Sequence, residues 1–367
     1  MTEDLGRRLA ARTLELVDLA SESGDEAAIL ARLRELVPPS RFTVADDGDA
    51  ALLFLPRSRR PEASLVLLAG HVDTVPAAGN VPGRLDGDAV VGRGASDMKG
   101  AIAVMLEIAD DAEALDATDL DVGLLLVGRE ELPITESALL PLLRRSPALR
   151  AVDLALVMEP TANRLEIGCM GNLNATIRAT GRAAHTARPW LGENAIHSAI
   201  QALAPLVDLP TRDVAIDGLV FREVVSVTRI DGGGARNVIP DRVEADVNLR
   251  YAPNHTPAGA EERLRELLGP HPVEVEIVGN APPGPVTVGN PLVGRLRDGG
   301  NLEVGPKQAW TPVAEFAAAG IDAVNLGPGD PQYAHRDDER VEVAALVRST
   351  EIVRGFLAGA GPAAEDA

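Results

Sequence analysis

The chain is poor in the residues on which several functional classes depend. It has one cysteine, Cys169, in 367 residues. That excludes an internal disulfide and a cysteine-rich zinc site, and it suits a reducing compartment. Aromatic residues make up 2% of the sequence, so few rings are available to stack on bases, and the core must rest on Val, Leu, Ile and Ala. Basic residues are outnumbered, 35 against 55 acidic, giving a formal net charge of −20. Such a surface repels phosphate backbones, and nucleic acid is excluded as a partner. The longest apolar runs, such as 65–69 and 124–127, fall far short of the ~20 residues of a membrane span, so no membrane partner is expected. The opening segment, MTEDLGRRLA, lacks the apolar stretch of a signal peptide, and a soluble cytoplasmic protein is expected.

What remains is an ordinary globular composition, 46% hydrophobic and 25% charged, at a length typical of two domains. Two amphipathic helices open the chain, one along Leu5, Leu9, Leu16 and Ala20, the other along Ile29, Leu30, Leu33 and Leu36. A repeated unit follows: a short apolar run, a tight turn rich in acids or histidine, and usually a helix. The runs are 65–69, 122–127, 154–158 and 323–326, and the helical stretches are 98–114, 135–145 and 341–357. Continuous apolar strands alternating with helices predict an α/β domain whose mostly parallel central sheet is covered by helices. From 173 to 283 the pattern changes to strict alternation, as in 243–250 and 273–277, with helical patterns at 193–206 and 258–268. That is an antiparallel sheet with one wet face and two helices on the other. The expected organisation is a discontinuous domain, 1–172 and 284–367, carrying an inserted α+β domain at 173–283. The tail from 358, AGAGPAAEDA, has the composition of a disordered end.

In open α/β sheets, ligands bind beyond the carboxyl ends of the strands. The proposed strands deliver His71 and Asp73, Glu130 and Glu131, Glu159, and His335 to that one edge, and Asp97 opens a helix nearby. Taken singly, each has a plain reading: a strand-end turn, a solvated acidic pair, an N-cap. Taken together, carboxylates on one dry edge would repel one another unless a cation held them. Two histidines with several carboxylates suit zinc or a similar divalent ion. The donors exceed the needs of one tetrahedral ion, whereas two ions bridged by a shared carboxylate would use most of them.

These motifs, GHVDTVP at 70–76, GRGASDMKGA at 92–101, Glu130-Glu131, Glu159-Pro160 and His335, resemble the M20 family of metallopeptidases and deacylases in residues and in order. The segments 168–197 and 235–242 resemble its desuccinylase branch, in the actinobacterial form. The resemblance implies a zinc-exopeptidase-like fold with an inserted lid and dimerisation domain. It also implies two divalent ions, zinc first, with cobalt and manganese as alternatives. By the same resemblance Asp97 bridges the ions, His71 and Glu159 complete one site, and Glu131 and His335 the other. Asp73 would orient His71 through its imidazole N–H, and Glu130 would be the general base. A cis peptide after Asp97 is implied as well. His185 would stabilise the oxyanion across a homodimer interface formed by the inserted domain, and Arg188, Asn237, Arg250 and Thr311 would contact a small anionic N-acylated amino acid. His197, His255, His271 and Cys169 match no site motif.

The implied reaction is hydrolysis of N-succinyl-L,L-diaminopimelate in lysine and cell-wall biosynthesis. An acetylornithine deacetylase-like enzyme, another N-acyl-amino-acid hydrolase or a dipeptidase of the same family is the alternative, and a non-catalytic binding protein is the reading from another class. One feature keeps the alternative open. After Thr311 the desuccinylases carry an Asp and, three residues later, an Arg, where this chain has Pro312-Val313-Ala314-Glu315-Phe316, a local reversal of charge.

Overall fold

The computed structural model describes residues 2–359. Contacts divide the chain into two units. The first comprises residues 1–168, 287–305 and 311–367, and the second 169–286 and 306–310. The first is built on an eight-stranded sheet in the order Phe42–Asp46, Ala51–Pro56, Asp121–Val127, Leu65–His71, Val152–Val157, Ala323–Asn325, Leu165–Ile167, Val304–Pro306. Its four central strands, from Asp121–Val127 to Ala323–Asn325, run parallel, and the flanking pairs with Ala51–Pro56 and Leu165–Ile167 are antiparallel.

The central strands are continuous apolar runs because both of their faces are covered. All seven residues of Leu65–His71 and all seven of Asp121–Val127 are buried. Parallel register sets Leu65 beside Asp121 and His71 beside Val127, with Ala69 level with Val157 and Asn325 level with Val157 on the next strand. The carboxyl ends therefore finish level, and whatever follows each strand is delivered to one edge.

Helices Thr2–Asp18, Gly100–Asp110 and Val343–Ala358 pack against one another. Gly100–Asp110 is buried on nearly every side, which explains why its sequence is apolar all round. The stretch 98–114, expected as one helix, is two, Gly100–Asp110 and Ala112–Ala117. Asp111 leaves the helical conformation, and its carboxylate accepts the N–H of Ala114 at 3.0 Å, so it caps the second helix and ends the first. Of the expected disordered tail, Ala358 ends the last helix and Gly359 caps it at φ 67°. Residues 360–367 lie outside the described residues.

The second unit is the predicted antiparallel sheet, in the order Arg212–Ile216, Leu219–Gly232, Arg242–Tyr251, Gly171–Thr180, Val273–Ala281. Leu173, Ala175, Ile177, Ala245, Val247 and Leu249 form its inner face, against Leu203 and Leu206 of helix Ala195–Val207 and Leu264 and Leu268 of helix Pro257–Leu268. The expected insertion, 173–283, lies inside this unit, which also takes in the remote segment 306–310. That segment joins through side-chain bonds that sequence separation hides: Trp310 Nε1 donates to the Pro282 carbonyl at 3.0 Å, and Gln308 Nε2 to the Val220 carbonyl at 3.2 Å.

Tyr251 is fully buried, with its hydroxyl 2.8 Å from Asn280 Oδ1 and 3.0 Å from the Ala281 carbonyl. Its ring lies over Gly171, where an added Cβ would stand 2.2 Å from Cζ. Because the hydroxyl pins the ring, it cannot swing aside without losing a buried hydrogen bond. Gly171→Ala is expected to destabilise the protein by about 1–3 kcal/mol, the ordinary cost of overpacking. Urea denaturation checks this, and an unchanged midpoint would show that the sheet relaxes freely.

Candidate metal centre

The level strand ends assemble the cluster. His71 closes its strand and Asp73 follows two residues later. Glu130 and Glu131 come after the strand ending at Val127, and Glu159 after the strand ending at Val157. His335 arrives on a loop at a left-handed φ of 64°. Gly327 lets this segment run against the Glu159 turn, since a Cβ there would lie 2.2 Å from the Met158 carbonyl and 2.5 Å from that of Glu159.

Asp97 sits between the two histidines. Its Oδ1 is 2.9 Å from His71 Nε2, and its Oδ2 is 3.4 Å from His335 Nε2. His71 Nε2 is also 3.9 Å from Glu159 Oε1, and His335 Nε2 is 2.9 Å from Glu131 Oε1. Two donor sets result, His71–Asp97–Glu159 and Asp97–Glu131–His335, each with its ligand atoms within 4.8 Å of one another. A carboxylate whose two oxygens face different imidazoles has the geometry of a bridge, so the donors fit two divalent ions. Glu130 comes within the same reach of His71 and Glu131. The peptide bond from Asp97 to Met98 is cis.

Asp73 organises the base of the site in a way that differs from expectation. His71 Nδ1 is 3.0 Å from the Asp73 backbone carbonyl and 3.6 Å from its carboxylate, so the imidazole N–H donates to the carbonyl. The carboxylate, fully buried, accepts the N–H groups of Glu130 at 3.1 Å and Glu131 at 3.2 Å, and the hydroxyl of Ser23 at 2.7 Å. Asp73 thus orients both glutamates as well as the histidine. Ser23 was missed in the sequence: it lies fifty positions away, in the loop after the first helix, with no motif around it.

The charges are strongly coupled. Burial alone would push the His71 imidazole toward its neutral form, but the neighbouring Asp73 and Asp97 carboxylates outweigh it and raise its pKa well above the ordinary value. For Asp97, burial is opposed by both histidines, and its carboxyl is held well below the usual range. Glu130 shifts the other way: burial first, then the charge of Glu159, raise its pKa well above that of a free glutamate. Contact with Asp97 and Glu131 raises His335 to about 10. Opposite shifts within one cluster are the mark of a site suited to proton transfer.

The remaining expected site residues fall in the second unit, except Thr311, which is buried in the first. Strand Ala184–His185 pairs with Val238–Ile239, and the Asn237 carbonyl accepts the N–H of Thr186 at 3.0 Å, so His185, Arg188 and Asn237 share one exposed loop cluster. His185 Nδ1 accepts the N–H of Ala187 at 3.0 Å, which assigns the ring proton to Nε2. Arg250 is half-buried and donates from Nε to Asn248 Oδ1 at 3.1 Å, with no carboxylate paired to it among the described residues.

Comparison with known proteins agrees with this geometry. Residues 167–276 match the M20 peptidase dimerisation domain, and residues 54–185 match peptidase family M28. A Mycobacterium tuberculosis protein provisionally named succinyl-diaminopimelate desuccinylase is 38% identical over 349 residues, spanning 95% of this chain and 97% of its own. The succinyl-diaminopimelate desuccinylase of Corynebacterium glutamicum is 35% identical over 94% of this chain and 95% of its own. This chain belongs to the M20 family. Its fold is shared by an M20 metallo-carboxypeptidase from Sulfolobus solfataricus, at a TM-score of 0.76 and 16% identity over 95% of this chain and 98% of that one. As an M20 protein it is a metal-dependent hydrolase of amide bonds.

Glu315, where the chain departs from the desuccinylase branch of M20, proves to be an interior residue. It is 2% exposed and accepts the Ser137 hydroxyl at 2.7 Å. Its reversed charge is therefore not presented to a bound anion. Burial raises its pKa to about 7, against the lowering effect of Ser137. An acid raised in this way binds a proton when folded that it has lost when unfolded, between the ordinary glutamate range and about 7. Stability contributed by this group is thus present at low pH and falls as pH rises through that window. Glu315→Gln is expected to gain stability relative to the parent as pH rises from 5 to 8 (a range of about three units around the shifted value). Thermal denaturation across the range checks it, and a constant difference would exclude a buried neutral carboxyl.

Proposed function

We propose that this protein hydrolyses N-succinyl-L,L-diaminopimelate to succinate and L,L-diaminopimelate, with Glu130 as the general base. The observation that carries the reading is the division of the Asp97 oxygens between two His–Glu sets, with Glu130 beside them. The choice of substrate draws on the names of relatives 35–38% identical over nearly the whole chain. The burial of Glu315 is consistent with that choice, since its carboxyl faces Ser137 in the interior.

Zinc is the proposed resident metal, with cobalt or manganese as substitutes; His71, Asp97 and Glu159 would hold one ion, and Asp97, Glu131 and His335 the other. Such ions lower the pKa of a water and draw charge from a carbonyl oxygen. The protein's own groups do the rest. Glu130 takes a proton from the attacking water as its oxygen bonds to the amide carbon. Glu130, beside His71 and Glu131, carries that proton until the C–N bond breaks and then delivers it to the leaving nitrogen. Asp73 holds the backbones of Glu130 and Glu131 and the ring of His71 in register. His185, with its proton on Nε2, is proposed as the hydrogen-bond donor to the oxyanion. Arg188 and Arg250 are proposed to hold the substrate's carboxylates, and Asn237 and Thr311 to contact it. The proposed protein is a cytoplasmic homodimer joined through the second unit; no described helix is long and apolar enough to cross a membrane.

Glu130→Gln keeps the shape of the side chain and removes its basicity. It should retain metal and fold while kcat falls by about 10²–10⁴-fold, the usual worth of a general base; near-parental turnover would overturn the mechanism. The substrate is tested by turnover of N-succinyl-L,L-diaminopimelate against N-acetylornithine, before and after chelation and zinc restoration. Metal-dependent hydrolysis of the succinyl compound is expected, and activity on N-acetylornithine alone would reassign the acyl group.

A further inference from the structure

The Asp97 carboxylate has an unusual holder. Among its described contacts, its side chain meets only His71 and His335, both of them proposed metal ligands. Among the described residues no other side chain bonds it, so its direction is set by the backbone of the turn on which it stands. That backbone is non-helical at Asp97, with φ −126° and ψ 89°.

A single buried carboxylate holds this backbone. Glu339 is 1% exposed, and its Oε1 accepts the N–H groups of Ser96 at 3.2 Å and Asp97 at 3.1 Å. Its Oε2 accepts Arg93 Nη1 at 2.9 Å, and Arg93 is itself buried. The same Arg93 nitrogen donates to the Arg336 carbonyl at 3.2 Å, one residue beyond His335. The Asp97 turn and the His335 loop, 242 positions apart where Glu339 joins them, are thus tied together at one ion pair. A charged acceptor bonds backbone N–H groups more strongly than a neutral one, and a buried pair has no water to replace it.

We propose that Glu339, clamped by Arg93, is the positioning residue that sets the Asp97 carboxylate against His335 and thereby the affinity of the Asp97–Glu131–His335 site. The proposal rests on the two-metal reading above. The two sites depend on Glu339 unequally. In the Asp97–Glu131–His335 set, both Asp97 and His335 stand on segments that Glu339 joins. In the other set, His71 and Glu159 come from the ends of central strands and only Asp97 depends on it. Loosening Glu339 should therefore weaken one ion more than the other, whereas a general structural role would weaken both alike.

The test uses Glu339→Gln and Arg93→Lys in the full chain, stripped with chelator. Each is titrated with Zn2+ against a chromophoric competitor, with Co2+ absorption spectra and melting of the stripped protein alongside. The parent should take up two ions. Each variant should lose affinity for one ion about 10–100-fold more than for the other, with altered cobalt bands, and melting establishes that the stripped variant is folded. A folded variant that keeps both affinities and the parental spectrum, or loses both ions equally, overturns the proposal. If Glu339→Gln does not fold, the same readings on Arg93→Lys decide. A parent that takes up fewer than two ions overturns the two-metal reading itself, an outcome distinguishable from the others because it appears before any substitution.

Discussion

Everything at the strand ends depends on keeping several carboxylates together at an edge with little water. Asp73, Asp97, Glu130, Glu131 and Glu159 stand within one small region, and like charges so confined repel strongly. The protein's own answer is partial. Two imidazoles hold Asp97 ionised, and Glu130 moves toward its protonated form. Two divalent ions would complete the compensation, because the donor geometry around Asp97 is already divided in two.

The supporting structure is largely backbone N–H groups fixed by buried acceptors. Asp73 takes those of Glu130 and Glu131, and Glu339 takes those of Ser96 and Asp97. Each acceptor is steadied in turn, Asp73 by Ser23 and Glu339 by Arg93. Ligands that come from separate stretches of chain acquire fixed relative positions in this way, as a dinuclear site requires. The −20 charge takes on a different meaning here, since several of its acids are part of a buried, compensated cluster. An anionic substrate needs local positive charge against the acids that remain. Arg250, braced by Asn248, pairs with no carboxylate among the described residues and is the group proposed to meet that need.

Much was legible in the sequence because its signals were local. Leu65–His71 and Asp121–Val127 are continuous apolar runs since both sheet faces are covered, and Arg242–Tyr251 alternates since one face is wet. Much of the candidate site was legible for the same reason: His71, Glu130, Glu131 and Glu159 stand at or just after the ends of strands. The long strand Leu219–Gly232 escaped notice because a register shift after Val227 and its exposed far half break the alternation. Segment 306–310 escaped because its membership of the second unit depends on Gln308 and Trp310 reaching distant carbonyls.

The sequence by itself determined the classes of element and placed several candidate metal-binding side chains at one sheet edge, because periodicity and residue type are properties of the chain alone. Tertiary structure decided how those groups face one another. It divided the oxygens of Asp97 between two histidines, turned the His71 N–H to a backbone carbonyl, brought Ser23 and Glu339 into the site, and buried Glu315 beside Ser137. A hydrogen bond depends on distances of a few tenths of an ångström between residues up to 242 positions apart, and only the packed sheet and its loops set such distances.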